Sequence, residues 1–107
     1  MKVGLTDRDI ETLEKILSQY PQIKLVHIFG SRAKGTYHQG SDIDLAVMNE
    51  GLEYHDLLRL KSDLDESHLP YVVDIVNYPD IKHQELKEHI DRVGKPIYRG
   101  YEHSKIH

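Results

Sequence analysis

Apolar residues along this chain alternate between helical and extended rhythms. Ile10, Leu13, Ile16 and Leu17 recur at three- and four-residue spacing, and Pro21 stops the run. Thr6 stands at the N-cap position with Asp9 three residues on, a capping-box pattern, so a first helix is predicted from there. The β-branched, apolar stretch "IKLVHIF" at 23–29 then reads as a strand ending at Gly30. Residues 42–48, "DIDLAVM", alternate strictly, with Ile43, Leu45 and Val47 on one face and Asp42, Asp44 and Ala46 on the other. Leu57, Leu58, Leu60 and Leu64 return to helical spacing and predict a second helix from about Glu53 to about Glu66, with Pro70 beyond its end. A third strand, "YVVDIVNY" at 71–78, carries Asp74 in its middle and is closed by Pro79. Ile81, Leu86, Ile90 and Val93 form the apolar stripe of a third helix, with Gly94 at the C′ position, and Pro96 to Tyr98 is expected as a short edge strand. The segment between the first two strands reads as a loop.

This order predicts an α/β (α+β) domain: a small mixed sheet flanked by helices. Residues 1–100 are expected to form it, with 101–107 as a flexible C-terminal tail. The polar face of the 42–48 strand raises a question. Residues i and i+2 of a strand share a face, so Asp42 and Asp44 sit side by side and repel unless a cation lies between them. If the 71–78 strand is their neighbour, Asp74 joins the same face and three carboxylates converge.

Composition narrows what those carboxylates can serve. At 107 residues there is room for one modest core, and with 38% hydrophobic residues some apolar surface is expected to be completed by another subunit. A formal net charge of -4 argues against extended nucleic-acid binding, which depends on clustered Lys and Arg, but leaves room for a single nucleotide. The absence of cysteine excludes a disulfide framework and a thiolate metal site. The charged N-terminus lacks the apolar core of a signal peptide, and no stretch approaches the roughly 20 apolar residues of a membrane span, so a cytoplasmic protein without membrane association is expected. No pair among the eight histidines has H-E-x-x-H spacing; His27 reads as a packed strand residue, and His103 with His107 as incidental.

Three clustered carboxylates make a hard, all-oxygen donor set suited to Mg²⁺ or Mn²⁺, ions that complete their shells with water and phosphate oxygens. The loop "GSRAKGTYHQGS" offers the complementary phosphate cradle. Gly30 lets main-chain N–H groups approach a phosphate closely, Ser31 Oγ adds a donor, and Arg32 and Lys34 add positive charge. Gly35 and Gly40 let the chain bend back toward the acidic strand.

Gly30-Ser31, ten intervening residues, then Asp42-Ile43-Asp44 resembles the signature of the polymerase-beta-type nucleotidyltransferase superfamily. "GSRAKG…SDIDLAV" in so short a chain is similar to its minimal nucleotidyltransferase (MNT) branch, whose members are commonly the antitoxin half of HEPN/MNT modules. The resemblance implies a polymerase-beta-like core and Mg²⁺-dependent transfer of AMP from ATP, with pyrophosphate leaving, to a tyrosine hydroxyl of a HEPN-type toxin partner in a hetero-oligomer. It implies that Gly30 and Ser31, with Arg32, Lys34 and Ser41 of the same loop, hold the nucleoside triphosphate. It further implies that Asp42 and Asp44 bind two Mg²⁺ ions and that Asp74 completes the ion activating the acceptor. Two alternatives stand beside this reading: a non-catalytic module that neutralises its partner by occlusion, and nucleotidyl transfer to a small molecule.

Overall fold

The computed structural model describes residues 3–100; the expected tail at 101–107 lies outside them. Four helices and four strands follow in the order α1 (Asp7–Leu17), β1 (Leu25–Phe29), α2 (Gly30–Lys34), β2 (Ile43–Val47), α3 (Tyr54–Asp65), β3 (Val73–Asn77), α4 (Gln84–Val93) and β4 (Lys95–Arg99), with a 3-10 turn at Tyr78–Asp80. The capping box at α1 forms in both directions: the Asp9 amide donates to Thr6 Oγ1 at 3.0 Å and the Thr6 amide donates to Asp9 Oδ2 at 3.1 Å. Both ends of α3 fall within a residue of the limits its leucines predict.

The strands form one mixed sheet in the order β3-β2-β1-β4, and β4 is the expected edge strand. β1 runs antiparallel to both β2 and β4, whereas β2 and β3, joined through α3, are parallel. Strand alternation divides the interior in two. Val26, Ile28, Ile43, Leu45, Val47, Val73 and Ile75 face Leu13 and Leu17 of α1 and Leu57, Leu60 and Leu64 of α3. On the opposite face Phe29 and Ala46 pack against Ile90 of α4, with Leu86 and Val93 alongside. Asp44 and Asp74 occupy positions of this second face.

Three details differ from the sequence reading. Residues 30–34 are not loop but the short helix α2, capped by Gly35 in the left-handed region at φ 84. The first three strands are shorter than predicted, so Asp42 precedes β2 and Tyr78 turns into the 3-10 segment with Pro79, whereas β4 extends one residue beyond its expected limits at each end. Gly94 caps α4 in an extended conformation, φ -62 and ψ 140, rather than in the left-handed one. The chain must pass straight from α4 into β4 there. Glycine is required because a Cβ would press on the Ile90 carbonyl and stand 3.1 Å from His27 Nδ1.

Candidate active site

β1 delivers the chain to the site at Phe29, whose partner across the sheet is Asp44. The next residue therefore begins beside the Asp44 side chain. Gly30 has φ 74, and a Cβ there would collide with Asp44 Oδ2 while lying 3.2 Å from its Cγ. Both backbone conformation and space disfavour any other residue, and the Gly30-Ser31 main chain is left bare directly against a carboxylate. Gly30→Ala should lose about 2 kcal/mol of stability, from left-handed strain plus displacement of Asp44. Thermal melting with and without an ATP analogue checks this; an unshifted melting temperature would contradict the close approach.

The parallel register of β2 and β3 places Asp44 opposite Asp74. Asp42 lies two residues before Asp44, exposed at the mouth of β2, while Asp44 is half-buried and Asp74 exposed. The groups interact electrostatically: burial first, then Asp74, then Asp42, push the Asp44 carboxyl above the ordinary range, with His89 acting in the opposite sense. A half-buried carboxylate between two others lacks positive charge, and an all-oxygen donor set in that state fits a hard divalent cation. The aspartates are nonetheless spread wider than a compact ligand trio. Among the described residues, only Glu53, His55 and Asp56 bring their ligand atoms within 4.8 Å of one another. That group sits at the start of α3, beyond the far end of β2, and Asp56 Oδ2 there accepts from Gln22 Nε2 at 2.8 Å.

The structure corrects the expectation for Arg32. Its side chain is 1% exposed and points away from the acidic face. Nη1 donates to the Val3 carbonyl at 2.9 Å, and Nε and Nη2 donate to the Ser41 carbonyl at 3.2 and 2.8 Å. Nη2 also reaches the Gln39 carbonyl at 3.5 Å, and the guanidinium lies over the rings of Tyr37 and Tyr71, 5.3 and 4.7 Å from their centroids. Arg32 is thus the peg around which the 35–42 loop is wrapped. Ser41 belongs to the same framework, since its Oγ accepts the His38 amide at 2.9 Å. Ser31 stays half-buried beside Gly30, and Lys34 is exposed at the last residue of α2.

One residue near the site escaped the sequence reading. His89 of α4 is half-buried, meets the Phe29 ring edge-on with centroids 6.0 Å apart, and acts on Asp44. A signal was present. Leu86, His89, Ile90 and Val93 lie on one helical stripe, so His89 occupies a position facing the sheet.

Comparison with known proteins points to the same chemistry. The family described as polymerase beta, nucleotidyltransferase matches residues 11–103. A probable protein adenylyltransferase MntA of Haemophilus influenzae is 33% identical over 78 residues, covering 72% of this chain and 68% of that protein. A putative protein adenylyltransferase of Methanocaldococcus jannaschii is 42% identical over 69 residues, covering 64% of this chain and 72% of that protein. Among solved structures, a toxin-antitoxin crystallised with AMP-PNP superimposes with a TM-score of 0.69 at 27% identity, covering 92% of this chain and 79% of the other.

Proposed function

Because the chain belongs to the polymerase-beta nucleotidyltransferase family, whose pattern covers residues 11–103, we propose that it transfers AMP from ATP to a tyrosine hydroxyl of a HEPN-type toxin and is that toxin's antitoxin. The observation that supports this most is the register pairing of Asp44 with Asp74 directly beside a Gly30 where any side chain would be strained against Asp44.

In this reading the Gly30-Ser31 main chain and Ser31 Oγ bind the triphosphate. Lys34 lies on the same short helix and adds long-range positive charge. Asp42, Asp44 and Asp74 would hold two Mg²⁺ ions, for which Mn²⁺ is an acceptable substitute. When bound, such ions lower the pKa of the acceptor hydroxyl and neutralise charge on the phosphates. Asp42 and Asp44 would hold both ions, and Asp74, on the outer strand, would complete the shell of the ion that activates the acceptor. The acceptor hydroxyl gives up its proton to solvent and its oxygen bonds to the α-phosphorus as the bond from that phosphorus to the α–β bridging oxygen breaks, and pyrophosphate departs. Arg32 keeps Asp42 at its station by fixing the loop that leads to it.

A partner in a hetero-complex would supply both the acceptor and cover for exposed Tyr54, Leu58 and Val72, which are 69%, 47% and 64% exposed. Among the described residues no helix is long and apolar enough to cross a membrane, in keeping with action in the cytoplasm. Intact-mass spectrometry of the chain mixed with the product of its neighbouring gene, ATP and Mg²⁺ tests the proposal. Additions of AMP to the partner are expected. A stable complex with no added mass would favour occlusion instead.

A further inference from the structure

His89 brings a nitrogen donor to a site otherwise lined by acids. Phe29 fixes its place twice over: Phe29 touches the His89 ring edge-on, at an interplanar angle of 80°, and it directly precedes Gly30-Ser31. Phe29 also pairs with Asp44, and α2 packs against α4, so the imidazole stands at the junction of the phosphate cradle and the acidic strand. The ring is half-buried, and neither of its nitrogens has a hydrogen-bond partner among the described residues. A residue present only to fill space against Phe29 would serve as well without nitrogens. The positive side chains of the loop are committed or distant from this junction: Arg32 is turned into the loop framework, and Lys34 lies at the far end of α2.

We infer that His89 is a nucleotide-positioning residue, whose ring N–H donates a hydrogen bond to a phosphate oxygen of the nucleoside triphosphate held at Gly30-Ser31. A neutral imidazole always retains one N–H, so the contact requires no change of protonation state. The inference rests on the site reading above and adds a donor from an element, α4, outside the strand-loop-strand motif.

Two variants separate this role from packing. His89→Phe keeps an aromatic ring against Phe29 and removes the donor; His89→Gln gives up the ring and keeps an N–H. Calorimetric binding of AMP-PNP with Mg²⁺, the KM for ATP in the transfer assay and the melting temperature are read for each. The expected result is an approximately tenfold weaker analogue affinity and higher KM for His89→Phe, with its melting temperature unchanged and affinity substantially restored in His89→Gln. Wild-type affinity in His89→Phe would overturn the inference alone. So would equal losses in both variants accompanied by equal drops in melting temperature, which mark a structural role. No binding of the analogue to the wild-type protein would overturn the site reading together with it.

Discussion

Asp44→Asn should lower AMP transfer by ~10³-fold or more, because in the proposed reading the lost carboxylate is one of those that would hold Mg²⁺ against the reacting phosphate. The same variant should be more stable than the wild type. Burial and two acidic neighbours raise the Asp44 pKa in the fold, so the folded protein binds this proton more readily than the unfolded chain does. Well below the ordinary value of 3.8 the group is protonated in both states and costs nothing. As pH rises from there through the folded pKa, an electrostatic penalty develops, and it stays constant above. Asparagine removes it. For a half-exposed group screened by water the gain is on the order of 0.5 kcal/mol, or roughly 2–4 °C in melting temperature near neutral pH. Melting curves at several pH values should show the advantage of Asp44→Asn vanish in acid, and Mg²⁺ with ATP should stabilise the wild type far more than the variant. Equal stabilisation of both proteins by Mg²⁺ and ATP would remove Asp44 from the metal site.

Arg32→Ala should produce the largest loss of stability, about 3–4 kcal/mol, from deprived carbonyl acceptors and an emptied, ring-lined space. The carbonyls of Val3, Gln39 and Ser41 lose their donors at once. Against a total of roughly 5–15 kcal/mol for a domain of this class, that is a severe loss. Arg32→Lys should recover less than half of it, since one ammonium on a flexible stem cannot reproduce a planar fork that spans three acceptors. Urea denaturation checks both variants. Midpoints close to the wild type would mean that the loop holds itself without the guanidinium. Because Asp42 hangs from this loop, transfer should also weaken in Arg32→Ala even at temperatures where the protein remains folded.

These two residues mark what the sequence could and could not disclose. Asp44 was readable because strand alternation is a local rule: two acids at i and i+2 among β-branched residues must share a face, and a third acid mid-strand after one helix suits a parallel neighbour. Helices α1 and α3 were readable for a similar reason, through the Thr6–Asp9 cap and the leucine spacing. Arg32 was misjudged because its acceptors lie at 3, 39 and 41, and nothing local announces that they converge. A cation in a glycine-rich loop looks the same whether it awaits a phosphate or pins backbone carbonyls. Helix α2 was missed because five residues are too few to show a period. Gly94 was assigned to its position for the wrong reason, since close packing against Ile90 and His27, rather than a left-handed turn, demands it. His89 sat in plain view on the apolar stripe of α4, but only the folded chain reveals which end of the sheet that stripe reaches.

Asp44 and Asp74 are not supported alike. Asp44 lies on β2, which has hydrogen-bonded neighbours on both sides, whereas Asp74 lies on β3, which among the described residues is at the border of the sheet and bound only to β2 through a parallel ladder. Parallel pairing is slightly the weaker kind, and strands with one neighbour open first in local fluctuations. The centre is therefore a vice with one fixed jaw and one compliant jaw. In the proposed reading, nucleotide chemistry would stay clamped in the rigid half, while the yielding half, on the side assigned to the incoming hydroxyl, could adjust to acceptors presented at different depths and angles.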